Sequence, residues 1–161
     1  MPELSSEQRA LYRSRLQNFE RFVGGVPGAL AELAELFSAA PEDVVRRPQD
    51  YLQQAQDLAQ SCRQQAFPEE DARWVFSRLV YYVGELLKHR HHGQWTINEN
   101  PHSPFFLRYV IGGFAEHDPE INVDPATIVK DLFDRDDCDL FAVIREVDAK
   151  LDTNKPGAGD S

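Results

Sequence analysis

Between residues 68 and 95 the chain carries a run that decides how the rest must fold. Ala72, Trp74, Val75, Phe76, Leu79, Val80, Tyr82, Val83, Leu86 and Leu87 fall on nearly every side of a helix. A helix that is apolar all round has to be enclosed by other elements. Pro68 suits its first position, with Glu69, Glu70 and Asp71 against the positive end of the dipole and Lys88, Arg90 and the histidines near the negative end. Gly93 is expected to stop the helix in a left-handed turn that leads into Trp95.

The segments on either side supply the wrapping. Ser5 and Gln8 have capping-box spacing, and Leu11, Tyr12, Leu16, Phe19, Phe22 and Val23 then recur at helical intervals, which predicts a first helix over 6–23. Gly24-Gly25-Val26-Pro27-Gly28 is expected to break it. Leu30, Leu33, Leu36 and Phe37 mark a second, short helix ending near Ala39-Ala40-Pro41, and a single turn over 42–46 precedes Pro48. Pro48 is placed to open a third helix, with Tyr51, Leu52, Ala55, Leu58, Ala59 and Cys62 on its core face and a solvated face rich in glutamine. After Gly93, residues 94–98 and 105–111 are rich in β-branched and aromatic side chains and predict a hairpin. Asp124-Pro125 is an N-cap followed by proline at the first helical position, and Ile128, Val129, Leu132 and Phe133 give that helix its inner face. A last helix over 138–151 buries Leu140, Phe141, Ile144 and Val147. The fold class expected is α+β, mainly α: a helical bundle around a central helix with a small antiparallel β-hairpin. It forms a single globular domain over 1–152, followed by a tail over 153–161 rich in Gly, Pro and charge and expected to be disordered.

A chain of 161 residues can enclose such a helix in one core without disulfides or metal. Cys62 and Cys138 lie far apart in no CxxC pattern, and the N-terminal residues lack the apolar run of a secretory signal, which points to a reducing, cytoplasmic setting. The longest stretch free of charge, 22–31, is far short of the roughly 20 apolar residues a membrane helix needs. Net charge is −10, and residues 118–161 hold twelve acids against five bases, which puts −7 in that last segment. Such a surface repels phosphate backbones and steers basic proteins toward it, so the expected partner is a basic protein and not a nucleic acid or a membrane. No cofactor is expected, and the oligomeric state is left open.

The order Tyr82-Val83-Gly84-Glu85, then Gly93 and Trp95, then Pro104, and later Val123-Asp124-Pro125 with Ile128-Val129 and Leu132, resembles a scattered group of small bacterial domains. In them a Gly-Glu helix leads into a Gly-x-Trp strand, a hydrophobic strand and an Asn- or Asp-Pro helix. The resemblance covers residues 75–150, and this chain departs from the commoner Gly-Arg-Trp by carrying Gln94. Some members look like immunity proteins encoded beside secreted bacterial toxins, which implies a binding role.

Four constellations remain to be weighed. Gly84, Glu85, Gly93 and Trp95 form a structural motif in which the glycine admits a neighbouring backbone or the Trp95 indole and Glu85 accepts from backbone amides of the hairpin. The chemical alternative makes Glu85 a general acid or base with His89 or His102 nearby. Glu85, His89 and His92, at spacings of four and three, share one helical face and suit a zinc-type ion, although histidines at a helix end also offset its dipole without any metal. Asp134, Asp136, Asp137 and Asp139 do not make a calcium loop, because counting from Asp134 puts Cys138 fifth, Asp139 where glycine is required and Arg145 twelfth. Asp136 or Asp137 is expected to cap the last helix while the cluster meets Lys or Arg on a partner. Phe114, Glu116, Asp118 and Glu120, in the loop after Gly112-Gly113, mix an aromatic with acids in a setting that suits a second part of the partner-binding surface and equally an ordinary connector.

No serine lies in a GxSxG elbow and neither cysteine stands in a recognisable catalytic pattern. The expected function is therefore non-enzymatic: a bacterial protein-interaction module, most concretely an immunity protein or antitoxin that occludes a basic toxin. The alternatives are a small metal-dependent enzyme or metal-binding domain using Glu85, His89 and His92, and a homo-oligomeric structural or adaptor protein.

Overall fold

A computed structural model describes residues 4–114 and 121–153. Along the chain run α1 (Ser6–Gly24), α2 (Val26–Leu36), α3 (Pro41–Arg46), a 3₁₀ turn (Pro48–Tyr51), α4 (Leu52–Gln64), α5 (Glu69–His91), β1 (Gln94–Ile97), β2 (Tyr109–Gly112), α6 (Pro125–Asp134) and α7 (Leu140–Thr153). The fold is α+β and mainly α, with one two-stranded antiparallel sheet.

α5 is the axis of the bundle. Val75, Leu79, Tyr82, Val83, Leu86 and Leu87 are all buried in one cluster that also takes Leu30 and Leu33 from α2, Ala55 and Ala59 from α4, Val129 and Leu132 from α6 and Leu140 and Ile144 from α7. Tyr82 shows how completely it is enclosed: its hydroxyl donates to the carbonyl of Pro48 at 2.7 Å, and its residue is 0% exposed. Burial, above all, pushes the Tyr82 phenol far above its ordinary 10.0, with Asp50 adding to the rise and Arg90 opposing it.

Local signals set most element ends. Ser5 caps α1 with the reciprocal Gln8 contact of a capping box. The Asp124 side chain accepts from Ala126 N–H at the start of α6. The glycine-proline run after α1 breaks the chain less than expected: α2 begins at Val26, since Pro27 in a first turn lacks only an N–H that has no helical partner there. Pro48 opens a 3₁₀ turn, and the α-helix proper starts at Leu52. The left-handed residue that ends α5 is His92 (φ 56°) and not Gly93.

The hairpin pairs Gln94 with Gly112, Trp95 with Ile111, Thr96 with Val110 and Ile97 with Tyr109. Beyond β2, Ile111 and Val123 exchange both backbone hydrogen bonds at 2.8 and 2.9 Å. By the alternation of a ladder, Trp95 and Ile97 then turn their backbone groups to the other side of β1.

α7 begins later than the sequence suggests. Cys138 adopts φ 44°, outside the helix, and Asp139 rather than Asp136 or Asp137 accepts the first-turn N–H of Ala142, at 3.3 Å. A buried amide holds this turn: Gln56 Nε2 donates to the Cys138 carbonyl at 3.0 Å and Gln56 Oε1 accepts from Leu140 N–H. Gln56 thus departs from the solvated glutamine face expected for α4, being 5% exposed. Leu11 and Leu16, expected on the core face of α1, are 52% and 50% exposed, and no residue of α1 is buried. They flank the stripe of Phe19, Phe22 and Val23 that does meet the core.

Replacing Gln56 with Leu should lower the unfolding free energy by about 2 kcal/mol or more in urea titrations, because two backbone groups at the α6–α7 turn lose their partner out of reach of water. Tyr82 gives a pH dependence of known sign. Its folded-state pKa is raised, so its contribution to stability is complete below 10.0, the unfolded value, and is lost as pH rises beyond it. Melting temperatures of the wild type should therefore fall more steeply above that pH than those of Tyr82→Phe.

Candidate functional site

The Gly-Glu motif and Trp95 meet as one unit. A Cβ built on Gly84 would lie 2.0 Å from Trp95 Cζ2, so the indole rests on the bare backbone of α5. The indole Nε1–H donates to Glu85 Oε2 at 3.1 Å, and Lys88 Nζ stands 3.7 Å from the same oxygen. The Glu85 partner is therefore the indole and a lysine, in place of the backbone amides expected. Phe22 stands edge-on to Trp95 with ring centroids 5.0 Å apart, and Tyr81 does so at 6.5 Å. Glu85 is 4% exposed in this setting, which suits a fixed acceptor and gives a substrate no approach. Gly93 serves the same packing: a Cβ there would meet the Phe114 ring at 2.6 Å and the Gly112 carbonyl at 2.9 Å.

The histidines diverge. His89 is exposed on the last turn of α5, His92 is exposed in the left-handed cap, and Glu85 points into the aromatic cluster. Among the described residues, no three His, Cys, Asp or Glu side chains are grouped so as to hold a metal ion. His91 takes a different partner, placing Nε2 2.7 Å from Asp148 Oδ1 on α7, where Arg90 also pairs with Asp148 and reaches Gln49. His102 lies in the turn region between β1 and β2, its N–H donating to Asn100 Oδ1.

At the α6–α7 corner the structure collects more acids than the sequence cluster shows. Asp134 pairs with Lys130 across one turn at 2.7 Å. Arg135 bridges Asp131, at 2.8 Å, and Glu146 of α7. The hydrogen bond to Glu146, then that to Asp131, holds the Arg135 guanidinium above its ordinary pKa, and the same contact lowers that of Glu146. The hydrogen bond to Asp134 likewise raises the pKa of Lys130. Asp136 and Asp137 are exposed and form no ion pair among the described residues. Asp134, Arg135, Asp136, Asp137 and Glu146 line one open depression, while Asp139 is occupied at the start of α7. Asp131 and Glu146 were missed from sequence. The Asp131–Arg135 spacing of four was legible on a helix, whereas Glu146 joins only through the fold.

Phe114 is not a surface anchor: it is 4% exposed, with the His91 ring edge-on at 6.2 Å. Glu116, Asp118 and Glu120 lie outside the described residues. A further groove of about 520 Å³ crosses the outer face of the hairpin between Gln94, Thr96, Asn98, Glu99, Asn100 and Asn122. Asn98 in it is already tied to Ser103 Oγ, Asn122 Oδ1 and Asn100 N–H, so it serves the loop. No helix among the described residues is long and apolar enough to cross a membrane.

The fold thus defines a mainly helical α+β domain with an aromatic clasp at one side and an acidic corner at another. Comparison with protein-family models, curated proteins and solved structures found no match to it.

Gly84→Ala should cost about 2 kcal/mol in urea unfolding, since the indole has no room to yield and the gain in helix propensity is only about 1 kcal/mol. Trp95→Phe should cost a similar amount for a different reason, leaving Glu85 buried with its indole donor gone. The double variant Gly84→Ala/Trp95→Phe, in which the smaller ring leaves room for the alanine methyl, should then cost less than the sum of the two.

Proposed function

We propose that this protein is a non-enzymatic protein-binding module that occludes a basic partner in the bacterial cytoplasm, as an immunity protein or antitoxin does. The single observation that carries this reading is the pair Asp136 and Asp137: both exposed, neither in an ion pair among the described residues, beside a corner where Lys130 and Arg135 are already paired with Asp134, Asp131 and Glu146. Unmatched carboxylates in a chain of net charge −10 raise the rate at which a basic surface is captured and orient it on arrival. The buried, unpaired Cys62 and Cys138 suit a reducing compartment. The likeness of Gly84-Glu85, Gly93 and Trp95 to immunity-like domains supports the same reading.

Native mass spectrometry of the protein isolated from its own cells, under mild and chelator-free conditions, tests it. The expected result is an added mass equal to a second, basic polypeptide. With that polypeptide in hand, Asp136→Asn/Asp137→Asn should slow association by about threefold or more at low ionic strength and flatten its salt dependence, while melting stays unchanged. Unchanged association rates, or a mass raised only by a metal ion, would overturn the reading. Asp139 is left intact in this variant because it holds the start of α7.

A further inference from the structure

The acidic corner adjoins an apolar recess. Where α4, α5 and α6 meet, Cys62, Ala72, Phe76, Lys130, Phe133 and Asp134 enclose about 270 Å³ that opens at the surface. Phe76 and Phe133 both line it, their rings tilted against each other with centroids 6.3 Å apart. The Cys62 thiol in the lining is 6% exposed, and burial raises its pKa, so it presents a neutral, apolar surface. The volume falls below the roughly 300–1,000 Å³ of ordinary small-molecule sites and matches one side chain. Charge at the mouth is supplied by Lys130 and Asp134, which satisfy each other at 2.7 Å. Asp134 also lines the acidic depression, so the recess and the exposed carboxylates of Asp136 and Asp137 share a border.

We propose that this recess receives a single aliphatic or aromatic side chain from a lysine- or arginine-flanked segment of the partner protein. The proposal rests on the occlusion reading above and gives it an anchor. An apolar side chain that leaves water for such a recess supplies most of the affinity of such contacts, and the charged rim supplies register and rate. The rim selects the flanks: a segment with acids beside its anchor meets Asp134, Asp136 and Asp137, while lysines or arginines find in Asp136 and Asp137 two exposed carboxylates in no ion pair among the described residues, the nearby Lys130 and Arg135 being paired with other acids.

Chemical-shift mapping on the full-length ¹⁵N-labelled protein tests this with defined probes: acetyl-Lys-Lys-Phe-Lys-Lys-amide, the same peptide with Ser in place of Phe, and the same peptide with Glu in place of every Lys. The expected result is a set of shifts centred on Cys62, Ala72, Phe76 and Phe133 for the first peptide, with binding about tenfold weaker for each of the other two. Ala72→Leu, which fills the recess from a half-exposed position with a good helix former, should weaken the first peptide to the level of the Ser peptide. Equal binding of the Phe and Ser peptides to the wild type overturns the proposal even if Ala72→Leu fails to fold, as do shifts centred elsewhere. The two readings fail separately. A native partner whose Kd responds to Asp136→Asn/Asp137→Asn but not to Ala72→Leu removes the anchor and keeps occlusion, whereas peptides seated in the recess with no basic partner in the cells remove occlusion and keep the anchor.

Discussion

The contact between the Trp95 indole and the backbone of Gly84 sets the position of everything on that side of the bundle. With 2.0 Å between the ring and the place a Cβ would occupy, the hairpin has one depth at which it can sit on α5. That depth brings Phe22 and Tyr81 onto the indole and lets Glu85 accept its N–H, so the last turns of α1 and the start of the hairpin are located by one ring. Gly93 repeats the device with Phe114, whose ring in turn meets His91 and so ties the far end of β2 to the C-terminal turn of α5. Two glycines ten residues apart or less, each admitting an aromatic ring, do what a larger core would otherwise need many contacts to do.

Charge is distributed on a different principle. The bases of this acidic chain are spent locally: Arg135 on Asp131 and Glu146, Lys130 on Asp134, Arg78 on Glu32, Arg108 on Asp124. The exposed ones among them, such as Lys130 with Asp134, add little to stability. Their effect is on the field, because each neutralised acid narrows the excess charge to those left unmatched. Asp136 and Asp137 are among the acids that subtraction leaves, adjacent in the chain and in one open depression with Asp134 and Glu146, and a fixed spot of potential orients an incoming surface better than a diffuse one.

What the sequence made legible was local in origin. Ser5 with Gln8 and Asp124 with Pro125 mark helix starts because a cap is a contact between neighbours three residues apart or fewer. The all-round apolar stretch of α5 gave the bundle its centre for the same reason: burial on every side leaves no polar stripe. Gln56 was misread because its role depends on a turn 82 residues away, which no helical pattern encodes. The left-handed residue at the end of α5 was misplaced by one, since glycine is the commoner choice and here Gly93 was needed to accommodate Phe114, leaving His92 to take the turn. At the candidate site, Asp134, Asp136 and Asp137 were visible as a cluster, but their separation into matched and unmatched acids needed Arg135 and Glu146 in three dimensions. The recess lined by Phe76 and Phe133 had no signature at all, because its walls come from three helices whose apolar residues look alike in sequence.

The first helix carries a consequence of its own. None of its residues is buried, yet it packs along β1 through Phe22 and Trp95 and is pinned by Tyr12 to Glu99, by Arg15 to the Leu107 carbonyl and by the Tyr109 hydroxyl to the Arg15 carbonyl. An element held by so few enclosed atoms is the first that thermal opening releases. β2 has neighbours on both sides, in β1 and Val123, whereas among the described residues β1 pairs with β2 alone. A helix that is cheap to detach therefore stands beside the half-paired strand of the molecule, and an edge bared by its release would be open to pairing with another strand.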